Sequence, residues 1–154
     1  MSVSKPVSSD ALPHEFTILV RDACLCLHAQ RAARALARHF DTALRPLGLT
    51  SGQFSLLMAL NRPEPPPMGP VAALLAMDRT TLTAALKPLQ RRGLVAVQPD
   101  PQDRRSRRLA LLPEGRALLA RAFPVWREHH AAIEAPLPDP ARLRQDLVAL
   151  GGVG

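Results

Sequence analysis

Residues 77–113 read MDRTTLTAALKPLQRRGLVAVQPDPQDRRSRRLALLP, and they decide the fold. Asp78 can cap a helix, because its carboxylate can accept from a backbone N–H two or three residues on. Leu82, Leu86 and Leu89, with Ala85 beside them, then recur at helical spacing and make one buried stripe. Arg79, Thr80, Thr83, Ala84 and Lys87 fall on the opposite face. Arg91 and Arg92 suit the last turn of a helix, and Gly93 suits the left-handed position that ends it. Leu94 to Val97 and Arg108 to Leu111 alternate like half-buried strands. Gln98-Pro99-Asp100-Pro101-Gln102-Asp103 between them forms turns. The order is helix, turn, strand, arginine-rich loop, strand.

Charge is gathered in this stretch. From Arg79 to Arg108 eight basic residues face two acids, so the span carries six of the chain's seven net positive charges. A charge this concentrated needs a partner, and a polyphosphate backbone fits it. Short and basic side chains at the start of a helix suit the major groove, where thymine methyls and phosphates are both in reach. Arginines at the far end of a hairpin, here Arg104, Arg105 and Arg107, can enter a narrow minor groove. An ordinary amphipathic surface helix and a solvated charged loop are the plainer readings. Helix and hairpin are adjacent and share one sign, and that favours DNA.

The runs RTTLTAALKPLQRRGLV and DRRSRRLALLPEG resemble the winged helix-turn-helix of the MarR family of bacterial transcription regulators. The resemblance extends from about Cys24 to the C-terminus and is carried most specifically by the wing's D-x-R, here Asp103 and Arg105. It implies that the arginine lies at the minor groove and that Asp103 braces the wing. Two positions depart from the pattern. Pro88 lies inside the recognition helix, where it removes an N–H bond to the carbonyl of Ala84 and costs ~3 kcal/mol unless the helix bends. Pro113 stands where threonine is more usual, which weakens the expected cap of the next helix.

Composition agrees with a mainly α chain carrying a small β-hairpin wing. The 154 residues fit one domain or one compact subunit. Aromatic residues are few and tyrosine is absent, so the core must be built of leucine and alanine. No apolar span reaches the roughly 20 residues of a membrane helix, and the first residues lack a signal-peptide core. A cytoplasmic, non-membrane protein is expected. No Gly-rich phosphate loop, paired carboxylates or nucleophile with its base points to an enzyme.

Outside the deciding stretch, four regions follow. Residues 1–13 read as a flexible arm. Residues 14–48 form an N-terminal dimerisation helix, with His14 to Val20 extended or a first turn. Its long helix starts at Asp22 and carries Leu25, Ala29, Ala32, Leu36, Phe40 and Leu44 on one stripe. Residues 49–113 form the winged helix-turn-helix. There Thr50 and Gln53 make a capping box, Phe54, Leu57 and Met58 point inward, and a four-proline connector precedes a short helix from Val71 to Met77 with Leu74 and Leu75 inward. Residues 114–154 hold a helix to about His130, kinked at Pro124, and a last helix from Ala141 to Leu150 with Leu143, Leu147 and Leu150 inward. One chain does not easily bury both its first and last helices. The resemblance implies that they intertwine across a two-fold axis. A homodimer would set two recognition helices roughly 34 Å apart over a palindromic operator.

Cys24-Leu25-Cys26 is the most unusual local feature. On a regular helix i and i+2 point about 200° apart, so one helix cannot readily offer both thiols to one ion. Three readings compete: two small apolar side chains packing in a helix, a redox sensor, or a soft-metal or metalloid sensor with His28. His14, His39, His129 and His130 show no ligand spacing, and His129 and His130, which point different ways on one helix, read as surface or interface residues. No cofactor is required. The resemblance implies a small aromatic or phenolic acid as effector, in a pocket drawing on Phe40, Phe54, Met58 and Trp126, each of which is individually explained as plain core. The combined expectation is a homodimeric, sequence-specific DNA-binding repressor released by a small-molecule, metal or thiol signal. The alternative is a non-sensing architectural DNA binder or protein-interaction module on the same winged fold.

Overall fold

A computed structural model of the chain describes residues 11–152, so residues 1–10 of the expected flexible arm lie outside the described residues. The chain divides between Leu36 and Ala37 into two compact units. The first contains α1 (His14–Ala23) and the leading part of α2 (Leu25–Leu44). Here the expectation of one helix from Asp22 is corrected. Residues 14–23 are already helical, and the helix breaks at Cys24, whose backbone is extended at φ −76° and ψ 108°. The break frees the amides that follow, and the Cys24 sulfur accepts from the Leu27 N–H at 3.4 Å. No residue of α1 is buried, and Leu25 at the start of the expected stripe is 67% exposed.

The second unit contains the core. α2 runs on to Leu44, and a short 3-10 turn over Arg45–Leu47 ends at Gly48, whose positive φ of 68° suits glycine. α3 (Ser51–Leu60) opens on the expected capping box, with Thr50 Oγ1 accepting from Gln53 N and the Gln53 side chain accepting from Thr50 N, both at 3.1 Å. It is buried nearly all round through Phe54, Leu56, Leu57, Ala59 and Leu60. Met58 is exposed instead of inward, because it lines a surface cleft.

The connector after α3 is stitched to the hairpin. Pro65 and Pro66 offer carbonyls to the Arg108 guanidinium (3.1 Å) and the Leu109 N–H (2.9 Å). α4 (Met68–Leu74) starts earlier than expected, with Pro70 in its first turn, where no N–H is needed. That start sets the phase: Met68, Val71 and Ala72 are buried, and Leu74 is 63% exposed, not inward. α5 (Arg79–Arg91) buries Leu82, Leu86 and Leu89 as the stripe predicts. It runs through Pro88, because exposed Ala84 leaves the released carbonyl open to water.

β1 (Val95–Pro99) and β2 (Arg107–Leu111) pair antiparallel, from Val95 opposite Leu111 to Pro99 opposite Arg107. α6 (Pro113–Glu134) accommodates Pro113 in its first turn, so the departure from threonine removes a side-chain cap without stopping the helix. The helix also continues through Pro124. Leu118, Leu119 and Ala122 are buried in the core, where α6 packs chiefly against α3 and the turn at Arg45–Leu47. α7 (Pro140–Gly151) is capped by Asp139, which accepts from Arg142 N at 2.9 Å. Its Leu143, Leu147 and Leu150 are exposed within one chain, contrary to the inward expectation. None of the described helices is long and apolar enough to cross a membrane.

Candidate nucleic-acid interface

Asp78 fixes the start of α5. Its carboxylate accepts from Thr81 N at 2.7 Å, and that bond above all holds its carboxyl below the usual carboxylate range. With Leu82, Leu86 and Leu89 buried, the other face must point outward. Arg79, Thr80, Thr83, Ala84 and Lys87 are all exposed and line one shallow recess of about 300 Å³. The structure therefore brings together every residue predicted on this face. Thr83 Oγ1 donates to Arg79 O at 2.7 Å. Its proton is engaged, so outward it presents lone pairs and a methyl group.

The wing tip is ordered by carboxylates. Asp103 accepts from Arg105 N at 2.9 Å, and its carbonyl accepts from Ser106 N at 3.0 Å. The expected brace at Asp103 is thus a local turn contact. A second brace was not seen in the sequence. Asp100 is 8% exposed and accepts from Gln102 N (2.9 Å) and Arg108 Nε (3.1 Å). The Gln102 amide and then the Arg108 charge hold its carboxyl below the ordinary range, against the opposing effect of burial. Arg108 also reaches Pro65 O, so one guanidinium joins both strands of the wing to the connector. No local sequence signal marks the contact with Pro65, which lies 43 positions away.

The wing arginines separate into two kinds. Arg107 folds back on the carbonyls of Arg104 (3.3 Å) and Ser106 (3.4 Å). Among the described residues, no hydrogen bond or ion pair engages the side chains of Arg104 or Arg105, and both are exposed.

Below this surface, Phe54, Met58, Leu74, Phe123 and Trp126 line a cleft of about 360 Å³. Trp126 stacks with Phe123 at 5.8 Å and Phe54 at 6.2 Å between centroids. Three of the four predicted pocket residues meet here. Phe40 does not; it packs edge-on to His39 and half-buried against the core. Phe123 and Leu74 join the cleft instead, and Arg127 lies over the Phe123 ring at 5.8 Å.

The cysteines remain separate from any ligand set. Cys26 is exposed and accepts from Gln30 Nε2 at 3.2 Å, and His28 turns its Nδ1 to Cys24 O at 2.8 Å. Among the described residues no group of three or more His, Cys, Asp or Glu side chains is placed to hold a metal.

A sequence profile of the MarR family matches residues 47–106, from the end of the 3-10 turn to the wing tip. The fold is similar to that of the M. tuberculosis transcriptional regulator MosR, solved in complex with DNA. That match has 41% identity and a TM-score of 0.77, and covers 83% of this chain and 93% of that one. The chain belongs to the MarR family. This mainly helical member with a two-stranded wing is also similar to CouR of Rhodococcus jostii, solved with p-coumaroyl-CoA. CouR is 25% identical with a TM-score of 0.74, over 86% of this chain and 95% of that one. The transcriptional activatory protein BadR of Rhodopseudomonas palustris is 36% identical over 89 residues, which is 56% of this chain and 51% of BadR. The match thus spans about half the length of that curated relative. The family and fold are those of transcriptional regulators rather than enzymes.

Proposed function

We propose that the chain acts in the cytoplasm as a homodimeric repressor of a palindromic operator, released by a small aromatic acid. The observation that carries the DNA reading is the pairing of two exposed basic elements on one winged fold. Arg79, Thr80, Thr83 and Lys87 of α5 read the major groove. Arg104 and Arg105, whose guanidinia engage no other described group, hold the minor groove and backbone. Arg107 supports the tip and adds its charge. Structures of two relatives with DNA, MosR and the transcriptional repressor CouR, support the same reading.

The dimer rests on apolar exposure. α1 and α7 bury no residue, and Phe16, Leu19, Val20, Leu147 and Val148 all face solvent in a single chain. A second copy is the occupant that family membership supplies. The effector reading rests on the stacked aromatic cleft, with Arg127 over the ring of its Phe123, a site of suitable size and chemistry for an aromatic carboxylate. A ligand there shifts the operator equilibrium only as far as it binds one arrangement of the recognition helices better than another.

Titration of the promoter region beside the protein's own gene, at several salt concentrations, tests the DNA reading. Arg105→Ala should weaken binding to operator and random duplex alike and lessen the salt slope by about one unit. An unchanged slope removes the wing contact. Protection of one palindrome supports a regulator, whereas uniform coating supports the architectural alternative.

A second sensor reading is favoured by the helix break at Cys24. The break places Cys24 outside the regular helix that carries Cys26, and Cys26 is open to solvent. Loss of operator binding on oxidant treatment of the parent, but not of a Cys24→Ala/Cys26→Ala variant, would assign the signal to the thiols.

A further inference from the structure

His39 and His129 are 90 positions apart in sequence, yet the fold sets His39 Nε2 and His129 Nδ1 2.9 Å from each other. His39 lies on α2 and His129 on α6. Their ring centroids are 4.9 Å apart and their planes are inclined by 64°. At this distance one nitrogen donates its N–H and the other accepts on its lone pair. Neutral imidazole is also the commonest metal-binding side chain.

Ligand geometry requires only a small adjustment. A tetrahedral ion with Zn–N bonds of about 2.0–2.1 Å holds two nitrogens roughly 3.4 Å apart. The pair must therefore open by about half an ångström, within reach of small rotations of two solvent-accessible rings. His39 is exposed and His129 half-buried, so water can complete the coordination shell. The adjacent His130 is turned elsewhere: its ring stacks on Trp126 at 4.7 Å, and its Nδ1 faces Glu134 at 3.8 Å. Glu134 is in turn paired with Arg144 of α7. The described residues supply no third protein ligand.

We propose that His39 and His129 form a two-imidazole site for a divalent d-block ion, binding Cu(II) more tightly than Zn(II), that ties α2 to α6. With only two protein ligands the fold imposes little geometry, so the order of affinities follows the intrinsic one, in which Cu(II) exceeds Zn(II). The ion takes the place of the proton in the His39–His129 hydrogen bond. Such a cross-link favours the folded state by mass action and raises Tm.

The test uses the full chain without DNA, so its outcome is separate from operator recognition. CuCl2 and ZnCl2 are titrated by calorimetry into the parent and into His39→Ala, His129→Ala, His130→Ala and Cys24→Ser/Cys26→Ser variants. One ion per chain should bind to the parent. Loss of either His39 or His129 should weaken Kd at least about tenfold, while the His130 and cysteine variants keep parental affinity. A measurement on the parent guards against misfolded variants: Zn(II) should move the 15N resonances of His39 Nε2 and His129 Nδ1, and not those of His14. The site is overturned if no one-to-one binding occurs, if His39→Ala or His129→Ala folds and retains parental affinity, or if the cysteine variant loses it. Shifts confined to other histidines also overturn it. In each of those cases the pair is a hydrogen bond between helices only.

Discussion

Gly115 in the first turn of α6 offers a prediction in which local and tertiary effects have opposite signs. Alanine exceeds glycine in helix propensity by ~1 kcal/mol, so the sequence alone favours Gly115→Ala. The packing opposes it. A Cβ at this position would stand 2.7 Å from Leu111 Cδ1 and 3.2 Å from the Leu94 carbonyl carbon, and closer still to that group's oxygen. Ordinary contacts of this kind begin at 3.4 Å, so helix and strand must separate. The Leu94 carbonyl cannot simply swing away, because it accepts from Leu112 N at 3.0 Å and fixes where the wing hands over to α6. Overpacking of this kind costs about 1–3 kcal/mol. Because the obstacle includes backbone that cannot give way, the cost falls in the upper part of that range, about 2–3 kcal/mol, and after the propensity gain a net loss of about 1–2 kcal/mol remains. With a urea m-value of about 2 kcal/mol/M, the unfolding midpoint should fall by roughly 0.5–1 M. A midpoint equal to or above the parent's would refute the close approach of α6 to the strands.

The other predictions concern the wing, the cap and the terminal helices. Asp100→Ala removes the acceptor that joins Arg108 to the turn, and should weaken operator binding while leaving the recognition-helix contacts intact; footprinting should then show loss at the minor-groove positions first. The carboxyls of Asp78 and Asp100 lie below the ordinary range when folded. Their stabilisation is therefore full above the unfolded-state value of about 3.9 and fades as pH falls through the folded-state values. Asp78→Asn keeps a cap without a titrating group, so its urea midpoint should drop less than the parent's in that acid window. Leu147→Glu in α7 should shift the assembly from dimer towards monomer in sedimentation, with far-UV circular dichroism retained, since Leu147 is 49% exposed in one chain.

Features that were legible in the sequence are those set by neighbours along the chain. The capping box at Thr50 and Gln53, the Asp78 cap, the Leu82-Leu86-Leu89 stripe and the turn at Gly93 all lie within one or two helical turns. Phase errors arose where two starts were compatible with the same residues. A short helix starting at Val71 would turn Leu74 inward, whereas the triple proline that stops at Pro67 starts it at Met68 and leaves Leu74 exposed. The remaining misses are long-range. Arg108 with Pro65, His39 with His129 and Gly115 against Leu94 are pairings that only the folded chain creates. Phe123 joins the cleft for the same reason: it lies three residues before Trp126 on α6, but only the position of α3 brings both rings to one cleft with Met58. The break at Cys24 had no signal, since neither glycine nor proline stands there.

The proline connector has a consequence for how these molecules behave when crowded. Its Pro66 carbonyl accepts from the Leu109 N–H on the outer side of β2, and its Pro65 carbonyl holds the Arg108 guanidinium. Proline has no N–H, so Pro65, Pro66 and Pro67 can give nothing to a further strand. The hairpin is thereby closed along that side to recruitment by another chain, a safeguard against edge-to-edge association of an exposed wing.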